Sequence, residues 1–191
     1  MPSLILLNGP PAAGKSTLAR MYADDHSLAL NLDIDRLRAQ LGRWREDRGA
    51  AGLAARRITL AAARAHLAAG HDVVVPQLVA RLEFIEQLEV AALDSGAAFR
   101  EVMLLDEQGS LRSRYRDRVR QEAAAGHEPI AATDLTDAQL AEFCERLLPV
   151  VAARPATIVI RSLDGDVAAT YRELVTRLVA AGGPIQPANT P

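Results

Sequence analysis

The chain has 191 residues, of which 49% are hydrophobic and 24% are charged, and its formal net charge is −2. These values are ordinary for a globular chain that forms a sizeable core, and they supply no global basic field for binding nucleic acid or a membrane surface. The single cysteine excludes an internal disulfide framework.

The first predicted element is a strand over residues 3–8, an apolar run that ends at glycine and proline. Strands buried on both faces of a parallel sheet have such uninterrupted runs. The run lacks the basic flank and long apolar region of a signal peptide, and no stretch of the chain approaches the about 18 to 20 apolar residues of a membrane helix. We therefore expect a cytoplasmic protein with no membrane partner.

The next segment contains the only lysine of the chain, Lys15. Its sequence fits the phosphate-loop pattern G-x-x-x-x-G-K-[ST], and it stands between a buried strand and a helix predicted over residues 15–25, the context that phosphate binding requires. Lys15 is expected to reach the β- and γ-phosphates as a compact charge that arginine cannot replace, and the Ser16 hydroxyl to bind Mg²⁺. The predicted ATP-binding residues here are Gly9, Pro10, Ala12, Ala13, Gly14, Lys15, Ser16 and Thr17.

A second strand is predicted over residues 27–32 and a short helix over residues 34–42, with Asp33 and Asp35 at their junction. Ligands of open parallel sheets bind beyond the carboxyl ends of the strands, next to the phosphate loop. A carboxylate there can accept a proton from a substrate hydroxyl or hold the metal through water. Asp33 either caps the helix or has one of these two roles, and Asp35, in the first turn, is favoured as the catalytic base.

An arginine-rich segment around Trp44 follows. It is predicted either to receive an acidic or polar acceptor, with Trp44 as an apolar wall, or to be an exposed surface of no special function. Its arginines are Arg36, Arg38, Arg43, Arg45 and Arg48.

The rest of the chain alternates between predicted helices and strands. The clearest strand covers residues 71–76, which are rich in β-branched side chains and end at Pro76. Five strands alternating with helices indicate an α/β fold around a parallel sheet. The other predicted strands cover 99–105 and 156–162, and the other helices cover 53–69, 80–94, 109–125, 136–148 and 166–181.

In its phosphate loop and in the segment DIDRLRAQL (33–41), the chain resembles the small P-loop kinases, a group that includes adenylate kinase, gluconate kinase, chloramphenicol phosphotransferase and zeta-toxin-like proteins. The resemblance implies a three-layer P-loop NTPase fold with a five-stranded parallel sheet in the order 2-3-1-4-5, helices on both faces and a helical lid. It also assigns to Asp35 the role of the base in the chloramphenicol enzyme.

The resemblance further implies a lid after the fourth strand, at about residues 109–130, where the chain has an arginine at every second position from 112 to 120. Lid arginines neutralise the phosphoryl group during transfer. Arg114 and Arg118 are therefore predicted to be catalytic and Arg112 to bind nucleotide, unless this is a solvated helix of a lysine-poor chain. Ser162 occupies the position of the family's adenine-contacting loop.

The third strand departs from the family pattern. Many relatives end this strand with an aspartate that orders the water shell of Mg²⁺, whereas this chain has Pro76 and Gln77 there and an aspartate, Asp72, at the other end. Gln77 can bind a water but supplies no charge. The metal is therefore expected to rest on Ser16, on the phosphates and on Asp33.

The sequence thus predicts one P-loop kinase domain over residues 1–182, followed by a loose tail over 183–191. The predicted activity is ATP- and Mg²⁺-dependent phosphorylation of a small-molecule hydroxyl by a monomer or homodimer. The alternatives are a kinase for a nucleic-acid end or a nucleotide sugar, and a nucleotide-dependent regulatory protein with little turnover. A long nucleic-acid track is disfavoured by the near-neutral charge and the lack of interleaved aromatic residues.

Overall fold

The structure, a computed structural model, describes residues 1–106, 113–117, 120, 135–162 and 166–182. The predicted tail, Arg112, Arg118 and most of the predicted lid lie outside these residues. The elements in chain order are β1 (Ser3–Asn8), α1 (Lys15–Asp25), β2 (Leu30–Asn31), α2 (Ile34–Ala39), α3 (Arg48–Ala68), β3 (Val73–Pro76), α4 (Leu82–Asp94), β4 (Ala98–Asp106), α5 (Asp137–Ala153), β5 (Ile158–Ser162) and α6 (Val167–Ala180).

The strands form one parallel sheet in the order β2-β3-β1-β4-β5, which confirms the predicted topology. β1 lies at the centre, with Leu4 opposite Val73 of β3 and opposite Phe99 of β4. Because β1 is covered on both faces, its residues 4–7 are at most 1% exposed. This burial explains why the strand is an unbroken apolar run rather than an alternating one.

Helices cover both faces of the sheet, so the predicted three layers are confirmed. On one face, Leu4 and Leu6 pack with residues of α3, α4 and α5. On the other face, Ile5 and Leu7 pack with residues of α1 and α6. In the described part of the chain, no helix is long and apolar enough to cross a membrane.

Several predicted elements have different bounds in the structure, most clearly the second strand, α3 and α5. The second strand is much shorter than predicted because Leu28 adopts a left-handed backbone with φ 59°, and the Ala29 N–H closes a turn on His26 O. α3 begins before the predicted residue 53, since the Asp47 side chain accepts a hydrogen bond from Ala50 N and caps the helix. α5 continues through Pro149 to Ala153.

A partly buried ion cluster joins α4, β4 and the end of α5. Arg154 is bonded through Nε to Glu101 and through Nη2 to Glu89, the latter at 2.8 Å. The Glu101 side chain is only 4% exposed. Burial raises the pKa of Glu101, and the bond from Arg154 offsets part of that rise.

Candidate active site

The phosphate loop leaves β1 through Gly9, a position that only glycine fits. Its φ is +149°, and a Cβ added there would lie 2.6 Å from the backbone oxygen of Leu104 in β4. L side chains rarely adopt such a backbone, and no side-chain adjustment removes a contact with the backbone of a central strand. Gly9 is therefore needed for the loop to begin beside β4.

A buried asparagine that the sequence analysis missed fixes the base of the loop. The Asn8 Oδ1 accepts hydrogen bonds from Gly9 N at 2.8 Å and Val79 N at 2.9 Å, and its Nδ2 donates to Val79 O at 2.8 Å. Asn8 thus holds the loop against the segment that follows β3. A polar residue at the end of an otherwise apolar strand was the available signal.

The loop ends at the start of α1. Gly14, the residue before the helix, has φ 90° and makes no side-chain cap, and α1 has no acidic residue in its first turn. Lys15 Nζ donates to Gly9 O at 2.9 Å and to Pro10 O at 2.7 Å, so the ammonium lies within the loop. A positive helix end and an ammonium group therefore share one loop, an arrangement that fits a phosphate chain.

Asp33 uses its two carboxylate oxygens for different contacts. Its Oδ1 accepts bonds from Asp35 N at 3.1 Å and Arg36 N at 3.2 Å, which caps α2. Its Oδ2 accepts a bond from the Ser16 hydroxyl at 3.3 Å. The Asp33 side chain therefore caps α2, as one interpretation predicted, and also lies beside Ser16.

The pair of oxygens on Ser16 and Asp33 fits a magnesium ion. Mg²⁺ prefers oxygen ligands and is usually held by one or two protein groups together with water and substrate phosphates. Within the described residues, no cluster of three or more His, Cys, Asp and Glu side chains could hold a metal. The available donors therefore suit a metal that phosphates help to hold, rather than an all-protein cage.

Asp35 lies in the first turn of α2, beyond the end of β2. Its Oδ1 is 3.1 Å from Nη2 of Arg38, and the Asp35 side chain is 46% exposed. Ile34, between the two aspartates, is 4% exposed and packs in the core. The buried isoleucine anchors the turn and leaves Asp35 accessible to a solute.

Trp44 is buried, which contradicts the alternative of an exposed Trp44 surface and leaves little of the ring to form an apolar wall for an acceptor. Its side chain is only 7% exposed. The guanidinium carbons of Arg45, Arg38 and Arg48 lie 4.3, 5.1 and 5.9 Å from the centre of a ring of Trp44. The surface that this segment offers is therefore made of guanidinium groups, which the aromatic ring supports from beneath.

The end of β3 carries no carboxylate, as the sequence indicated. Gln77 N donates to Leu7 O at 3.0 Å, and the buried Gln77 Oε1 has no hydrogen-bond partner among the described residues. Asp72 lies at the other end of the strand, where it accepts bonds from Ser3 N at 2.7 Å and the Tyr22 hydroxyl at 2.8 Å. Asp72 is therefore a structural residue remote from the loop.

The predicted lid is only partly described. Residues 113–117 are helical; Tyr115 is 3% exposed, and Arg114 is half-buried. Arg120 forms an exposed ion pair with Asp117 at 3.5 Å. Ser162 is the last residue of β5, paired with Asp106, and its side chain is not among the described ones.

A groove of about 640 Å³ lies elsewhere, between α3 and α4. Arg56, Arg57, Arg64 and Arg81 line it together with apolar and acidic side chains. None of the residues predicted to bind ATP, metal or acceptor lines this groove.

Comparisons with known proteins agree with this fold. The AAA_33 family, described as an AAA domain, matches residues 4–150. No curated protein matches the chain. Three solved structures have a similar fold. The tunicamycin resistance protein of Deinococcus radiodurans is 12% identical with a TM-score of 0.62, and the match covers 100% of this chain and 100% of that chain. A gluconokinase from Sinorhizobium meliloti is 17% identical with a TM-score of 0.54, and the match covers 94% of this chain and 97% of that chain. The APS kinase of Mycobacterium tuberculosis in complex with AMPPNP and APS is 19% identical with a TM-score of 0.52, and the match covers 93% of this chain and 97% of that chain.

At these identities the structural likeness shows the fold alone. The family match, however, extends from β1 through the phosphate loop and well into α5. The chain therefore belongs to the AAA_33 family of AAA domains and has the kinase-like P-loop fold.

Proposed function

We propose that this protein is a kinase that uses ATP and Mg²⁺ to phosphorylate a hydroxyl group of a small molecule. The observation that carries the proposal is the position of Lys15, whose Nζ lies inside the loop at the uncapped start of α1. Two proteins that share the fold are named as kinases, a gluconokinase and an APS kinase. The proposed catalytic unit is a single domain over residues 1–182 of a cytoplasmic monomer or homodimer.

The phosphate loop would bind the triphosphate. Backbone N–H groups of the loop and of the first turn of α1 would donate to the β- and γ-phosphates. The Lys15 ammonium would turn its N–H donors from Gly9 O and Pro10 O to the phosphate oxygens. Ser16 and Asp33 would hold Mg²⁺, which supplies charge neutralisation to the phosphates when bound.

Asp35 would orient and deprotonate the acceptor. Its carboxylate takes the hydroxyl proton as the acceptor oxygen forms a bond to the γ-phosphorus, the bond from that phosphorus to the bridging oxygen breaks, and ADP leaves with the electron pair. The exposure of the Asp35 side chain supports this assignment, because an acceptor can reach it. Asp33, in contrast, is engaged in capping α2 and with Ser16. Lys15, with Arg114 and Arg118 of the proposed lid, would stabilise the charge that spreads over the phosphoryl oxygens. Arg112 and Ser162 would contact the nucleotide.

A second candidate function is a nucleotide-dependent regulatory protein with little turnover. The observation that favours it is the end of β3, where Pro76 and Gln77 offer no carboxylate to the metal. The two functions share the triphosphate site and differ in whether an acceptor speeds ADP formation.

The test is acceptor-dependent ADP release by the purified full chain, supplied with ATP and Mg²⁺ and a panel of sugars, nucleosides, antibiotics and their acidic derivatives. The kinase proposal predicts that one acceptor class raises ADP release well above the rate with ATP alone, that Asp35→Asn loses this increase, and that the control variant Asp94→Asn keeps it. Asp94 is an exposed aspartate at the end of α4, so it matches the charge change without touching the site. ATP binding with no acceptor effect would favour the regulatory function.

A further inference from the structure

Three arginines lie over one aromatic ring in the connection between α2 and α3. Arg38, Arg45 and Arg48 have their guanidinium carbons within 5.9 Å of the centre of a ring of Trp44, and we call these three residues the arginine collar. Trp44 is 7% exposed, whereas Arg45 and Arg48 are exposed. The ring therefore serves as a fixed support on which the cationic groups rest.

The charge of this region is positive although the chain as a whole is negative. Residues 35–48 contain five arginines and three acids, in a chain whose net charge is −2. Two of the acids have other tasks: Glu46 Oε1 accepts from Arg43 Nε at 2.7 Å, and Asp47 Oδ1 caps α3 through Ala50 N at 2.8 Å. A local excess of cations in a protein of opposite net charge favours an anionic solute at this place.

Cation–π attraction to the ring holds these guanidinium groups in place. Each guanidinium offers N–H donors in the fork geometry that matches carboxylate and phosphate oxygens. Because the ring limits the motion of the arginines, less side-chain entropy is lost when an anion binds. The collar is thus built for an oxyanion rather than for an uncharged polar group.

One member of the collar links it to the proposed base. Arg38 Nη2 is 3.1 Å from Asp35 Oδ1, while its guanidinium carbon is 5.1 Å from the ring centre of Trp44. An anion bound by the collar therefore lies about one side chain away from the Asp35 carboxylate. This spacing suits a compact molecule that carries its acidic group and its reacting hydroxyl a few bonds apart.

We propose that the phosphoryl acceptor is itself an anion, a small hydroxyl compound with a carboxylate or phosphate group that the arginine collar holds while its hydroxyl faces Asp35. This inference rests on the proposed kinase function, which leaves the charge of the acceptor open. Trp44 supports the arginines and does not itself contact the acceptor.

The kinetic test compares acceptors that differ only in the anionic group: a sugar with its sugar acid and its sugar phosphate, and a nucleoside with its monophosphate. The anionic member of a pair should have the higher kcat/KM, and the two kinds of anion show whether carboxylate or phosphate is preferred. Arg45→Gln and Arg48→Gln should each raise KM for that anion by about tenfold or more with little change in kcat, because a charged hydrogen bond is lost.

Arg43→Gln is the matched control. It removes the same charge from the same connection, but Arg43 pairs with Glu46 and does not lie on Trp44. Its KM should stay near the wild-type value. A merely structural collar would instead lower stability and reduce turnover of charged and uncharged acceptors alike.

A second measurement, tryptophan fluorescence, does not depend on catalysis. Its signal comes from Trp44 alone, because Trp44 is the single tryptophan of the chain. Its fluorescence should change saturably on titration with inorganic phosphate or the anionic acceptor at constant ionic strength, and the change should be lost in Arg45→Gln and kept in Arg43→Gln. Equal use of charged and neutral acceptors with no fluorescence response would overturn the anion proposal and leave the kinase function standing. A saturable response without any acceptor-dependent ADP release would instead support the anion site and contradict the kinase function.

Discussion

Replacing Gly9 with alanine adds a methyl group where the backbone of the neighbouring strand leaves no room. The new Cβ would lie 2.6 Å from Leu104 O and 3.3 Å from Leu104 Cβ, and the φ of +149° is one that L residues rarely adopt. Leu104 cannot withdraw easily, because it is fully buried and its strand pairs with β1 and β5. The chain must therefore shift at the first residue of the phosphate loop.

The expected loss has two parts. Backbone strain costs about 1–3 kcal/mol, and forcing an extra carbon into a packed site costs about 1–3 kcal/mol more, so we expect Gly9→Ala to lower the free energy of unfolding by about 4 kcal/mol. For a chain of this size that loss lowers Tm by about 10 °C. ATP affinity should fall as well, because Gly9 O receives Lys15 Nζ.

Two other glycines separate strain from contact. An added Cβ at Gly14 would meet no heavy atom within 4 Å, but the backbone of Gly14 has φ 90°. Gly14→Ala should therefore show the cost of backbone strain alone, about 1–2 kcal/mol. Gly52, within α3, also has no atom within 4 Å, and Gly52→Ala should stabilise the protein by about 0.5–1 kcal/mol. Urea and thermal unfolding followed by circular dichroism measure all three variants. A Gly9→Ala protein as stable as Gly14→Ala would refute the contact with Leu104.

Lys15→Arg should keep the fold and weaken ATP binding by about 10- to 100-fold, the value of a lost charged hydrogen bond; a titration that gives wild-type affinity would contradict the assignment of the loop. Asn8→Ala should cost about 2–4 kcal/mol in urea unfolding, because Gly9 N and both backbone groups of Val79 lose their partner. Arg154→Met should cost about 3 kcal/mol at neutral pH by leaving Glu101 charged and buried. Since burial raises the pKa of Glu101, protonation removes that charge as pH falls through this pKa; the deficit should therefore shrink at low pH, and a pH-independent deficit would argue against the ion cluster.

Local patterns predicted the parts of the molecule that local physics determines. The apolar run of β1 required burial on both faces, and the glycines and lysine after it required a phosphate loop between that strand and α1. The order of the strands came from the resemblance to P-loop kinases, and the structure agrees with it. The predicted bounds of an element were wrong where a backbone turn ends or delays it. An example is Leu28, whose left-handed φ shortens β2.

The features that the sequence could not predict depend on contacts between residues distant in the chain, or on burial by tertiary packing. Asn8 and Val79 are 71 positions apart, so their mutual hydrogen bonds have no local pattern. Ser16 and Asp33 were predicted to share a metal site at one edge of the sheet, but the direct hydrogen bond between them at 3.3 Å joins positions 17 residues apart and has no local pattern. Trp44 was expected either to form an apolar wall for an acceptor or to belong to an exposed surface, but three arginines lie over its ring and the side chain is only 7% exposed.

The most direct test of the account is phosphoryl transfer at saturating acceptor, measured against Mg²⁺ concentration, for Asp33→Asn and Asp35→Asn. If Asp35 is the base, Asp35→Asn should lower kcat by about 10²–10⁴ with ATP binding and the Mg²⁺ requirement unchanged. Asp33→Asn should still cap α2, since asparagine caps as well as aspartate, but it should require more Mg²⁺ because a charge beside Ser16 is gone. A full-rate Asp35→Asn enzyme beside an inactive Asp33→Asn enzyme would show that the two carboxylates have the opposite roles.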